Sequence, residues 1–260
     1  MSLTNKTIAS TYKDVISIDN SNAGFDTNID QIRSGNGNGS ALYLSTNNFK
    51  VQPTADSTTN SVIYDKDGNI LFQVDSTNDT VKALGNNVNT QYAYFGITNV
   101  DSGAYAANTH YPVTFLSNGS LANSDVDFGT GTDPDDSFTT ANTDTQYASQ
   151  IVPMMWRVPD NISIDSVTHI EGADAATGDT TRMHLKSFDF TSGSTSCLTN
   201  GALLAHNSDV TNAGNEQAYL STWTVDSASV TAGKVILCFF RSDSVNSDYS
   251  INVCVKYHLT

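Results

Sequence analysis

Asp67-Gly68-Asn69 lies between two apolar runs, Val62-Ile63-Tyr64 and Ile70-Leu71-Phe72-Gln73-Val74. Asp-Gly between alternating apolar residues specifies a tight β-hairpin. A second turn at residues 75–79 leads into a third run, Thr80-Val81-Lys82-Ala83-Leu84. The meander over residues 61–85 has too little apolar surface for a core of its own. It needs a neighbouring domain or further copies of itself to cover its faces.

The rest of the N-terminal third has the same character. Tyr12-Lys13-Asp14-Val15-Ile16-Ser17-Ile18 predicts one short element, and residues 24–32 another, anchored by Phe25. Ser34-Gly35-Asn36-Gly37-Asn38-Gly39-Ser40 reads as a turn. No Lys follows it to meet a phosphate, and no strand-to-helix context surrounds it, so it is not a phosphate loop. Ala41-Leu42-Tyr43-Leu44 and Asn48-Phe49-Lys50-Val51 predict a second hairpin, ended by Pro53. Short strands with few apolar residues leave edges and faces open, and symmetric self-association is one remedy. The plainer alternative lays these strands along the C-terminal domain of the same chain.

Residues 85–90 mark a boundary, beyond which the apolar content rises. Gln91-Tyr92-Ala93-Tyr94-Phe95-Gly96-Ile97 is a strong strand, and residues 111–116 give another with Pro112 near its start. Residues 104–107 suit a helical turn. Residues 151–158 and 162–170 predict two strands joined at Pro159-Asp160-Asn161. Ile162, Ile164, Thr168 and Ile170 share one parity and Val167 breaks it, which predicts a bulge near Ser166. Residues 171–179 read as a loop, 182–190 and 218–225 as strands, and 201–205 as a short helical turn. Val235-Ile236-Leu237-Cys238-Phe239-Phe240 is continuously apolar and belongs at a sheet centre. Residues 251–259 alternate as a half-buried strand, with residues 243–250 as a hairpin loop between these last two. The expected architecture is all-β: a short-strand attachment region over 1–88, then a β-sandwich over 89–260, for which a jelly roll is one form.

Composition narrows the function. The formal net charge is -15, from 12 basic and 27 acidic residues. That excludes a general nucleic-acid binder, which displaces counterions with basic groups. No apolar run reaches transmembrane length, so no membrane insertion is expected. Met1-Ser2-Leu3-Thr4 opens polar sequence without the apolar core of a signal peptide, so synthesis in a cytoplasm is expected. Cys197, Cys238 and Cys254 have neither metal-ligand nor disulfide-framework spacing.

Candidate chemistry is sparse. Asp125, Asp127, Asp133, Asp135 and Asp136 fall in DVDFGTGTDPDD, a run that suits either a Ca²⁺ ion or a solvated loop. The EF-hand closing Glu is missing, which favours the loop. His169 and His184 would approach one another if their strands pair, with Asp as a third metal ligand. Glu171 and Glu216 are the only glutamates and invite comparison with a glycosidase pair, but both fall in expected loops. Trp156 and Trp223 would stack sugars if exposed, although each sits in an apolar strand that favours the core. No Gly-x-Ser-x-Gly elbow marks a nucleophile. The residues therefore assign no catalytic, cofactor or metal site and require no cofactor.

Three segments carry a family resemblance: LTNKTIASTYKDVISIDNSNAG at 3–24, GNGNGSALYLSTNNFKVQP at 35–53 and DKDGNILFQVDSTNDTVKALG at 65–85. They resemble the N-terminal regions of tailed-bacteriophage virion proteins, especially those of marine phages, in fibre, appendage and capsid-associated components. The resemblance implies a non-enzymatic virion structural protein, assembled in the host cytoplasm. It implies self-association, commonly as a trimer, and contact with other virion proteins. A receptor- or carbohydrate-binding module at a fibre tip, facing a host-surface glycan, is the alternative it implies. A hydrolase such as a depolymerase is the third, and no residue pattern here supports it. Beyond residue 90 the likeness is only to β-sandwich head domains in general, and no site residue carries over.

Overall fold

The computed structural model describes residues 15–20, 24–116, 118–119, 128–130, 151–174, 178–194, 197–214 and 216–260. The chain divides into two compact units, residues 1–88 and 89–260, and both are built of strands.

The first unit holds two four-stranded antiparallel meanders. One runs in sequence order through β1 (Ile16–Ile18), β2 (Asp30–Ser34), β3 (Gly39–Leu44) and β4 (Phe49–Val51). The other runs through β5 (Ser61–Tyr64), β6 (Ile70–Asp75), β7 (Thr80–Ala83) and β8 (Asn86–Asn87). The expected hairpins at 41–51 and 62–74 are both present. Side-chain carboxylates shape the turns of the second meander. Asp65 Oδ1 accepts the backbone N–H of Asp67 and Asn69 at 2.8 Å each, and Gly68 takes φ 85°. These bonds, led by the Asn69 side-chain amide, hold the Asp65 carboxyl below its usual pKa. Asp75 repeats the device on the N–H groups of Thr77 and Asn78 at 3.1 and 3.0 Å.

The second unit is one large sheet. Its strands are β9 (Thr90–Val100), β10 (Tyr111–Phe115), β11 (Asn118–Gly119), β12 (Trp156–Arg157), β13 (Ile162–Asp174), β14 (Thr180–Phe190) and β15 (Leu198–His206). Then come β16 (Val210–Thr211), β17 (Gln217–Thr222), β18 (Thr224–Val225), β19 (Ser229–Val230), β20 (Val235–Ser242) and β21 (Asp248–Leu259). The main path runs β17-β13-β21-β9-β10-β20-β14-β15-β18, and its pairings are all antiparallel.

The two ends of that path are the same stretch of chain. Only Trp223 separates β17, bonded to β13, from β18, bonded to β15. The Trp223 N–H still reaches the Val167 carbonyl on β13 at 2.9 Å, and from Thr224 onward the pairing passes to β15. The opposite corner is made by β10. Tyr111 to Val113 pair with β20, then Thr114 and Phe115 pair with β9. The unit is all-β as expected, but it is not specifically a two-sheet jelly-roll sandwich. A single sheet rolls into a nearly closed barrel because two strands bend and change partners instead of ending as free edges.

The barrel interior is apolar, with Phe95, Val113, Trp156, Leu185, Cys238, Phe240 and Val253 among its buried side chains. A second buried cluster lies on the outside of the β20–β14 half. There Phe188, Leu237 and Phe239 pack with Phe128, Ile151 and Met154. Strand β20 is buried on both sides, as its continuous apolar run predicts.

Three local expectations are corrected. Residues 201–205 lie within β15, because burial of Leu204 and Ala205 outweighs the helix propensity of Ala and Leu. Residues 171–174 continue β13 and are not loop. Residues 243–247 do not close a hairpin: β20 pairs with β10, β12 and β14, whereas β21 pairs with β13 and β9.

Candidate binding face and a buried polar chain

The expected bulge is present between Ile164 and Ser166 and decides what the barrel displays. Before it, Ile162 and Ile164 point inward. After it the parity flips, so that Val167, His169, Glu171 and Ala173 are buried while Ile170 faces out. A strand read without the bulge would bury Ile170 and expose Glu171.

On the outer face of β9-β21-β13-β17, cross-strand partners form rows. Tyr94 stands beside Cys254 and Thr168. One row on, Gly96 stands beside Asn252, Ile170 and Leu220. No other described residue of the second unit covers this face. Leu220 is 75% exposed, Ile170 56%, Tyr92 54% and Tyr94 47%. Small residues follow in the next row, where Gly172 and Ala218 sit beside Ser250. They open a groove of about 360 Å³ that also touches Ile97, Ile170 and Asn252. A Cβ placed on Gly172 would meet no atom within 4 Å. At its Gly172 and Ser250 end the groove adjoins a smaller cleft of about 170 Å³, bordered by Asp174, Glu216 and Asp248.

Inside the barrel the flipped residues make a closed polar chain. The Trp223 indole N–H donates to His169 Nδ1 at 2.6 Å. That places the imidazole proton on Nε2, which donates to Glu171 Oε2 at 3.2 Å. The Thr181 hydroxyl donates to the same carboxylate, 2.7 and 2.9 Å from its two oxygens. Beside it, the Tyr105 hydroxyl donates to the Ser247 carbonyl at 2.6 Å, and burial raises the pKa of both Tyr105 and Tyr249. His169 and Glu171 are each 1% exposed. Both ring nitrogens of His169 are engaged in hydrogen bonds, and the ring is sealed from solvent. The chain ties the Trp223 corner to β13 and β14.

The outer side of β14 carries a buried basic row. His184 packs edge-on against His110 with ring centroids 4.9 Å apart. Its pKa is driven down to about 2, first by desolvation and then by the positive charges of His110, Lys186, Arg182 and His206. Lys186 is fully buried, and burial lowers its pKa to about 8. A lysine with a folded pKa below its unfolded value of 10.5 destabilises the fold most below pH 8, and the penalty fades as pH rises toward 10.5. Lys186→Met removes that penalty. The variant should exceed the parent by roughly 1–2 kcal/mol at pH 7, with the gap narrowing by pH 10, in urea unfolding at both pH values.

The sequence candidates are distributed as follows. His169 lies inside the barrel and His184 outside it, on strands that do not pair, so the two are not brought together. Glu171 is buried in β13, which corrects its expected loop position. Glu216 is exposed beside the small cleft. Trp156 and Trp223 are each 5% exposed and belong to the core; Trp156 stacks on Phe115 with an 11° interplanar angle. Cys197, Cys238 and Cys254 are free thiols, and burial raises the pKa of Cys238. Asp125, Asp127, Asp133, Asp135 and Asp136 lie outside the described residues. Among the described residues no group of three His, Cys, Asp or Glu is arranged to hold a metal ion. None of their helices is long and apolar enough to cross a membrane.

No protein-family model matches the chain, and no curated protein matches it in sequence. Sequence reasoning missed the open face because its residues are unremarkable one by one. The parity break at Val167 was the available signal, since it decides which side of β13 turns outward.

Proposed function

We propose that the chain is a non-enzymatic virion structural protein that self-associates through residues 1–88, as a trimer, and displays the barrel on a phage particle as a short fibre, decoration or appendage. The virion part of the reading rests on the resemblance of residues 3–85. The observation that carries self-association is the missing core of the first unit. Among its described residues the only buried side chain is Asp75, while Ile16, Phe49, Ile63 and Leu84 are each at least 59% exposed. Such strands gain their apolar neighbours from further copies of the chain. The apolar area so covered contributes at about 25 cal/mol per Å².

Sedimentation of the full chain tests this. The expected mass is three times the 27.8 kDa of one chain. Ile63 and Phe72 are cross-strand partners, so Ile63→Asp with Phe72→Asp should shift the mass toward one chain. A wild type that sediments as a 27.8 kDa monomer at micromolar concentration overturns the reading. The alternative, a receptor- or carbohydrate-binding tip, requires aromatic rings on an open face of the second unit. Tyr92 and Tyr94 supply them.

A further inference from the structure

We infer that the open face of β9-β21-β13-β17 docks a protein segment in which apolar residues lead into a lysine or arginine. The inference extends the displayed-barrel reading and does not depend on association through residues 1–88. Two properties of the face select this occupant. The first is its apolar and aromatic surface: Leu220, Ile170, Tyr92 and Tyr94 stand exposed on the face, and Ile170 borders a groove lined also by Gly172 and Ala218. Exposed aliphatic and aromatic side chains grouped beside a depression are the anatomy of a protein-docking centre. The outer side of the β20–β14 half shows the contrast, because Phe188, Leu237 and Phe239 are covered there by Phe128, Ile151 and Met154 of the same chain.

The second property is charge. Gly172 and Ser250 border both the groove and the cleft that Asp174, Glu216 and Asp248 line. The Cα positions of Asp174 and Asp248 are directly paired, which sets two carboxylates side by side at that end. Asp248 also accepts a hydrogen bond from the Ser102 N–H. A lysine or arginine lays its aliphatic stem along an apolar groove and carries its charge to the end, which matches this sequence of surfaces. An acidic segment would meet both these carboxylates and a chain of net charge -15. A neutral sugar would leave Leu220 and Ile170 largely unmatched, since neither offers a stacking ring or a hydrogen bond.

The test is an array of immobilised hexapeptides, Leu-Ile-Tyr-Leu-X-Gly, with X as Lys, Arg, Gln or Glu, probed with the labelled full chain. A parallel array carries neutral glycans. Lys and Arg spots should retain about fivefold more protein than Gln spots at low salt, and Glu spots less than Gln. Asp174→Asn with Glu216→Gln should erase the difference between Lys and Gln while leaving the Gln signal. Gly172→Leu, which fills the groove from a backbone position that accepts a side chain, should lower every peptide signal. It should also sediment as the wild type does, so loss of docking is read separately from loss of self-association. Equal retention for all X, or peptide signals unchanged by Gly172→Leu, overturns the inference. Retention on the glycan array alone, abolished by Tyr94→Ala, also overturns it and assigns the face to sugar.

Discussion

Trp223→Ala should destabilise the barrel by about 3–5 kcal/mol, a large share of the stability of an ordinary domain. The residue is 5% exposed and stands where the rolled sheet meets itself. Truncation removes a large buried ring from the core. It also removes the N–H that satisfies His169 Nδ1 at 2.6 Å, and so frees one end of the chain through Glu171 to Thr181. Trp223→Phe separates the two contributions. It keeps most of the ring but leaves the imidazole nitrogen buried without its donor, at a cost of roughly 1–3 kcal/mol. Trp156 remains as the fluorescent reporter in both variants, so urea unfolding of the full chain can be followed by emission. A loss below about 1 kcal/mol for Trp223→Ala would show that the corner does not hold the barrel closed.

The sequence made the strands legible where one face alternates or a turn is unambiguous. Asp67-Gly68 fixed the β5–β6 hairpin, and the run from Val235 to Phe240 marked a strand buried on both sides. Even the bulge was visible, as the parity break at Val167. Its consequence was not. Whether Glu171 ends in a loop or inside a barrel depends on how far β13 continues, and pairing with β21 and β17 carries it to Asp174. The closure was illegible for a related reason. Residues 218–225 look like one strand because they are nearly one, and only long-range pairing reveals that the strand changes partners at Trp223. Residues 201–205 misled through propensity, since Ala and Leu suit a helix locally but β14 offers Leu204 and Ala205 a core position. The open face depends on all of these at once. Its rows come from four strands distant in sequence, and no single segment carries a signature for it.

Acid should unfold the barrel through His184, and the sign follows from its surroundings. Burial and the positive charges of His110, Lys186, Arg182 and His206 draw its folded pKa down to about 2, against 6.5 in an unfolded chain. Above pH 6.5 the ring is neutral in both states and contributes no slope. As pH falls below 6.5 the unfolded chain takes up a proton that the folded chain refuses, so stability declines by up to about 1.4 kcal/mol per pH unit from this group. His206 bonds Asp226 at 2.8 Å and His258 bonds Asp165 at 2.9 Å, both with partly exposed partners, so neither is sealed away as His184 is. His184→Leu removes the titrating group from a position 2% exposed, and with it a ring nitrogen that has no hydrogen-bond partner. The variant should lose stability more slowly than the wild type between pH 6.5 and 4.5, by about 2 kcal/mol over that range. Urea midpoints at half-unit pH steps measure the difference directly. Carboxylate titration is common to both proteins and cancels in the comparison. Parallel curves for the two proteins would mean that His184 accepts its proton within the folded barrel, and that the basic row on β14 lies open to water.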